Sequence, residues 1–333
     1  MFTTPALATT IPFRQRVWRK AKRVLRSVVV IYLLVCLVMY LLQTKLIFPG
    51  ASMQGTAEAV VRPGAGEELV RLTTKDGVPV VGLFGKAEPP RVPLRVATGG
   101  REVGVAETLS QTQTGGQDAR VTDAPHPVVL YFYGNGECMN FCDMQSGIFR
   151  ELGFHCMVID YPGFGMSGGS PSEQGCYAAA EAAYEYVLTR PDVDHRKIVV
   201  AGWSLGGGVA IDLVHRHRGD GTIAGLMTFC TFSSLVDYAK AQYPFLPVSL
   251  VLKHRFLSTD KLHDLTLPYF VGHGRRDSMI PYYHSDRVVK AYAGSAENLT
   301  RFVSEEADHN DFFDVSGEAL KNAIAGFLGR VTR

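Results

Sequence analysis

The sequence predicts an α/β domain with a mostly parallel central sheet and helices on both faces, preceded by one transmembrane helix. Three observations predict it. From about residue 127 onward, strongly apolar strand-like runs alternate with helical patterns, as a parallel sheet buried on both faces requires. One such strand runs straight into a serine flanked by glycines and then into a helix, KIVVAGWSLGGGVAIDL. An uncharged apolar run, VVVIYLLVCLVMYLL from Val28 to Leu42, precedes them all.

That run sets the organisation of the N-terminus. With Ser27 and the following QTKLIF it reaches the ~20 residues a bilayer-spanning helix needs. Gln43, Thr44 and Lys45 follow it where a cleaved signal peptide has small residues, so residues 27–48 are expected to be an uncleaved signal anchor. An Arg-rich, acid-free leader also fits mitochondrial targeting, but the long apolar run suits a membrane stop better than an amphipathic import helix. Arg14, Arg16, Arg19, Lys20, Lys22, Arg23 and Arg26 lie before the run, and the first carboxylate is Glu58. This charge bias predicts a basic cytoplasmic tail over residues 1–26 and a single-pass, type II protein whose body lies on the lumenal or extracytoplasmic side. With Lys45 the first 57 residues hold eight basic groups, which leaves 26 basic against 32 acidic residues in the body. A body of that sign presents no polyanion-binding surface, and nucleic acid is not an expected partner.

Beyond the anchor, ELVRLTT and VPVVGLFG read as an antiparallel pair joined by Lys75-Asp76-Gly77. Residues 87–127 are rich in Pro, Gly, Thr, Gln and Arg without apolar periodicity, and are expected to form a flexible insertion. The alternation then follows: strand PVVLYFYG, a helix from about Glu137, strand FHCMVIDY, helix SEQGCYAAAEAAYEYVL, strand KIVVAG, helix LGGGVAIDLVHRH and strand AGLMTFCTF. Strands LPYFVGHG and LTRFVSEE come last, with helices near Tyr282–Tyr292 and Ser316–Leu328. The stretch 233–266 is longer than a simple crossover and rich in Tyr, Phe, Leu and Val; a lid over the site and ordinary packing on the sheet both remain open for it.

Gly202-Trp203-Ser204-Leu205-Gly206 lies between a strand and a helix, the context a G-x-S-x-G nucleophile elbow demands. Small residues on either side permit a sharp turn that lifts the Ser204 hydroxyl above the sheet, and the helix start aims free N–H groups and a positive dipole at the same place. A serine hydroxyl needs a base, and the base a carboxylate to orient it. Asp277, in VGHGRRDSMIP, and His309, in RFVSEEADHNDFF, each follow a strand end and complete the order Ser, Asp, His. Asp308 and Asp311 are too close in sequence to His309 to reach its ring in the required geometry. His273 is expected to be a packed structural residue, and His215, His217, His254 and His263 to lie on the surface. The backbone N–H groups of Asn135, in the turn after PVVLYFYG, and Leu205 are expected to form the oxyanion hole.

Other motifs carry less. Gly163-Phe164-Gly165-Met166-Ser167-Gly168 satisfies GxGxxG, but the next helix starts only after SPSEQ, so the segment reads as a loop rather than a dinucleotide site. No HExxH, EF-hand loop or phosphate-binding GxxxxGKS/T motif is present, and no cofactor or metal is required. Cys36, Cys138, Cys142, Cys156, Cys176 and Cys230 lack paired zinc spacing and are expected to be mostly buried thiols, with Cys138 and Cys142 at helical spacing. The lone Asn298-Leu299-Thr300 triplet adds little weight to a lumenal face.

QTKLIFPG, FYGNGE, VIDYPGFGMSGGSPSE, VAGWSLGGGVA, GHGRRDSMIP and EADHNDFF together resemble the α/β-hydrolase superfamily, and more narrowly its members with one N-terminal membrane anchor. The resemblance covers about residues 45–330. It implies an α/β-hydrolase domain over residues 49–333 and serine-dependent cleavage of ester or thioester bonds in lipid or acyl-protein substrates. The bilayer and an apolar acyl-bearing substrate are then the expected partners. Acyl transfer on the same triad, or a non-enzymatic membrane scaffold, are the rival expectations. The chain has Tyr133-Gly134 where the family commonly has His-Gly, and its 87–127 insertion is longer than in a compact member.

Overall fold

The computed structural model describes residues 13–88 and 124–333. Helix α1 (Phe13–Ile47) leads into the antiparallel pair β1 (Glu67–Thr73) and β2 (Pro79–Gly85). Next come β3 (His126–Phe132), α2 (Asp143–Glu151), β4 (His155–Ile159), α3 (Glu173–Leu188), β5 (Val193–Trp203), α4 (Leu205–Arg216) and β6 (Ile223–Phe229). Short helices α5 (Leu235–Gln242), α6 (Val248–Val251) and α7 (Ser258–Leu262) separate β6 from β7 (Tyr269–Gly274). Helix α8 (Tyr283–Ala291), β8 (Leu299–Ser304) and α9 (Phe312–Val331) complete the chain.

The eight strands form one sheet in the order β1-β2-β4-β3-β5-β6-β7-β8. β2 pairs antiparallel with β1 and β4, and every later pairing is parallel. Val128 to Phe132, Ile198 to Ala201 and Leu226 to Phe229 are almost wholly buried and, apart from Thr228, apolar, so the central strands are covered on each face. That is why they read as continuous apolar runs instead of alternating ones. Parallel strands all end at the same edge, and β3, β5, β7 and β8 therefore deliver their following loops to one side of the sheet.

Several element boundaries differ from those expected. The helix expected from about Glu137 begins at Asp143, because the intervening backbone is engaged elsewhere: Met139 N–H binds Asp160, and Met139–Phe141 form a 3-10 turn. Cys138 and Cys142 consequently flank a short 3-10 turn and do not share one α-helix. The basic tail is helical from Phe13, continuous with the apolar run; Arg and Lys are good helix formers, and Lys22 packs 3.4 Å from the Trp18 ring centre. β3 starts at His126, inside the expected insertion, whose residues 89–123 lie outside the described ones. The last helix also starts earlier than Ser316, with a kink at Gly317.

α1 is long and apolar enough to cross a membrane. All six cysteines are free and buried.

Candidate active site

β5 carries Trp203 to the sheet edge and Ser204 turns the chain into α4 at φ 55° and ψ −118°. A non-glycine residue held there costs on the order of 1–3 kcal/mol, so its surroundings must hold it. Ser204 N–H donates to Phe229 O at 2.8 Å and Ser204 O accepts from Thr231 Oγ1 at 2.8 Å, fastening the turn to β6. The flanking glycines are dictated by proximity. A Cβ on Gly202 would lie 2.1 Å from Gly206 O, and one on Gly206 would lie 2.0 Å from Phe132 O.

The loops after β7 and β8 bring Asp277 and His309 to this serine. His309 Nε2 lies 3.0 Å from Ser204 Oγ, and Nδ1 lies 2.8 Å from Asp277 Oδ2. A carboxylate only accepts, so Nδ1 carries the proton and Nε2 is left to accept the serine O–H. Asp277 Oδ1 also takes N–H bonds from Met279 (3.0 Å) and Ile280 (2.6 Å). Burial pushes the Asp277 carboxyl up, but the His273 and His309 bonds, with the backbone donors, outweigh it and hold it down at about 2.

Asp308, next to His309 in sequence, faces the other way. It accepts from His309 N–H and from the backbone and hydroxyl of Ser278, while Asp311 accepts from Asp308 N–H. His273 is buried and bonded through Nε2 to Ile280 O at 2.8 Å, but the same nitrogen sits 3.3 Å from Asp277 Oδ2. It thus approaches the same carboxylate oxygen that His309 Nδ1 binds. His254 is not on the surface as expected: it is 9% exposed and lies between Thr44 of α1 and Glu173 N–H.

Ser204 and His309 line a cavity of about 720 Å³ together with Asn135, Leu205 and Glu137. The rest of its wall is largely apolar and comes from α1, α5 and α6. Leu205 opens α4, so its N–H is among the first four that have no intrahelical acceptor. Asn135 sits on the turn after β3, with its side chain donating to Ile47 O and its carbonyl accepting from Gly50 N–H.

A family model described as "alpha/beta hydrolase fold" matches residues 127–259. An uncharacterized protein of Mycobacterium tuberculosis is 31% identical over 246 residues, covering 74% of this chain and 85% of that protein. The chain belongs to the α/β-hydrolase family. The lysophosphatidylserine lipase ABHD12 of Danio rerio is 29% identical over 61% of this chain and 58% of its own length. Among solved structures, the Pyrococcus furiosus esterase Pf2001 has the same α/β-hydrolase fold, with a TM-score of 0.57 at 18% identity over 80% of this chain and 92% of that one.

Within this α/β-hydrolase, the Tyr133-Gly134 departure leaves the cavity wall untouched, because Tyr133 is fully buried. Its hydroxyl donates to Asp160 Oδ1 at 3.0 Å and accepts from Tyr161 N–H, so it pins the β3 and β4 loops together. Glu137 is the residue sequence reasoning missed. Burial pushes its carboxyl up to about 7 against the opposing pull of the Gly134 N–H. The only cue was its place two residues after Asn135 in the same turn.

Cys230, Asp277 and His309 form the one grouping among the described residues that brings three metal-ligand atoms together. Burial, followed by the charge of Asp277, pushes the Cys230 thiol well up, so it stays protonated at neutral pH. Asp277 Oδ2 and His309 Nδ1 already bond each other. The donor set suits a neutral thiol beside a carboxylate–imidazole pair better than a metal centre.

Proposed function

We propose that this α/β-hydrolase is a membrane-anchored serine hydrolase that cleaves carboxylic ester or thioester bonds of acyl-bearing lipid or acyl-protein substrates. The observation that carries the reading is the hydrogen-bonded chain Ser204–His309–Asp277 at the base of a largely apolar cavity. Ser204 Oγ attacks the carbonyl carbon as its proton passes to His309 Nε2, and Asp277 stabilises the imidazolium. The oxyanion is received by the N–H groups of Leu205 and Asn135; each such donor contributes ~3 kcal/mol to the transition state. His309 returns the proton to the leaving alcohol or thiol. It then takes one from water, whose oxygen attacks the acyl-serine, and gives that proton to Ser204 Oγ as the ester bond between Oγ and the acyl carbon breaks and the acid departs.

Support for an acyl substrate comes from the cavity wall and from the lipase named among the relatives. Support for anchoring comes from α1, whose apolar run follows seven basic residues and favours the type II orientation.

Acyl esters and thioesters of increasing chain length, offered to the full-length protein and to Ser204→Ala, test the activity. Wild type should turn them over with a preference for longer chains, and Ser204→Ala should fall to background. Equal turnover by both proteins would sink the proposal.

A further inference from the structure

The cavity next to Ser204 is walled in part by the apolar helix itself. Met39, Gln43, Leu46 and Ile47 of α1 line it opposite Leu246 and Val251. The contact between α1 and the α5–α6 segment is extended. Tyr32 Oη donates to Phe245 O at 3.0 Å, and Cys36 and Met39 pack with Val236, Leu246 and Val248. The Lys253 ammonium sits 4.0 Å from the Tyr40 ring centre. The Gln43 amide closes the far end, donating to Val251 O at 3.1 Å and accepting from Lys253 N–H at 2.6 Å. From Tyr32 to Gln43 a helix rises about 16 Å.

These contacts fix a depth. Val28–Leu42 carries no charge, and most of its side chains face outward, among them Leu33, Leu37 and Leu41. An apolar surface of that length is stable only in hydrocarbon or under a partner, and the basic residues before it favour a bilayer. Phe245, bonded to Tyr32, and Leu246 and Val248, packed with Cys36, lie at the same level. The segment alongside, Tyr243 to Leu252, is YPFLPVSLVL, also without a charge, and Phe245 and Leu250 are 61% and 86% exposed. Charge returns on both strands of this contact together, at Lys45 and Lys253, as expected at a headgroup boundary.

We infer that residues 243–252 and α1 form a gate immersed in one leaflet, through which the acyl chain of a bilayer lipid enters the cavity sideways from hydrocarbon, along Met39 and Leu246, toward Ser204. Entry along this route leaves the chain in an apolar surrounding throughout, so it avoids the cost of passing each methylene through water. The route rests on Ser204 being the nucleophile; the immersion of the gate does not.

The test uses the full-length protein in phosphatidylcholine vesicles. An ethyl fluorophosphonate and a hexadecyl fluorophosphonate with a photoreactive diazirine near its tail are compared, with adducts mapped by peptide mass spectrometry. In parallel a nitroxide is placed at Leu250→Cys, a site whose exposure makes the substitution structurally mild and whose thiol stands out against six buried cysteines. The expected result is modification of Ser204 by both probes and tail adducts within 36–46 and 243–252. The nitroxide should relax severalfold faster with dissolved oxygen than with a water-soluble nickel chelate. Ser204 modified by both probes but tail adducts elsewhere would overturn the route, and a nickel-accessible nitroxide would overturn the immersed gate. Should the ethyl probe leave Ser204 unmodified, the serine-hydrolase reading falls, while the nitroxide still decides the gate.

Discussion

Asp277 and Asp308 show how residue-scale geometry separates two carboxylates that look alike in EADHNDFF and GRRDSMIP. Asp277 meets the His309 ring, whereas Asp308 meets backbone and the Ser278 hydroxyl. Asp277→Asn keeps the volume but presents an amide to Nδ1, which favours the wrong tautomer; kcat should fall by about 10⁴-fold. Asp308→Asn removes loop bonds worth ~1 kcal/mol each, so the fall should stay below about tenfold. Steady-state kinetics on the two variants decides this, and equal losses would speak against the assignment. Glu137 makes a second residue-scale prediction. Its folded carboxyl is raised to about 7 from 4.5, so the folded state binds the proton more tightly than the unfolded one. No penalty exists below about pH 4.5; destabilisation grows as pH rises to about 7 and is then constant, reaching at most roughly 3 kcal/mol. Glu137→Gln should therefore gain Tm over wild type at pH 8 and not at pH 4. Thermal melts at both values check the sign.

At the scale of elements, the β5–α4 elbow depends on how closely three backbones approach. Gly206 touches Phe132 O of β3 and Gly202 touches Gly206 O, contacts that leave no space for a methyl. Gly206→Ala should push α4 off the sheet and lower stability by on the order of 3 kcal/mol, measured by urea unfolding. The same element was the most legible part of the sequence, because a strand, a glycine-bounded serine and a helix are local signals within seventeen residues. The helix expected at Glu137 was misplaced for the opposite reason: the distant Asp160 carboxylate, not the local pattern, decides where the Met139 N–H group goes.

At the scale of the whole molecule, the alternation of apolar strands and helices disclosed the parallel sheet, since each strand must be covered on both faces. Contacts that bridge distant parts of the chain left no such trace. Gln43 meets Lys253 and Thr44 meets His254 across more than 200 residues, so neither the burial of His254 nor the share of α1 in the cavity could be read from periodicity. The order Ser204, Asp277, His309 was legible because all three residues follow strand ends at one edge of the sheet. Their connection in one hydrogen-bonded chain, with Ser204 and His309 lining the cavity, is the feature on which the proposed chemistry depends.

The most direct test of that chemistry is site-mapped labelling of the folded, full-length protein with a fluorophosphonate. A nucleophilic Ser204 displaces fluoride, so one adduct should appear on the peptide that carries it and vanish in Ser204→Ala, whose melting curve should match that of wild type. A folded wild-type protein that remains unmodified, or an adduct that persists in Ser204→Ala, would contradict the assignment.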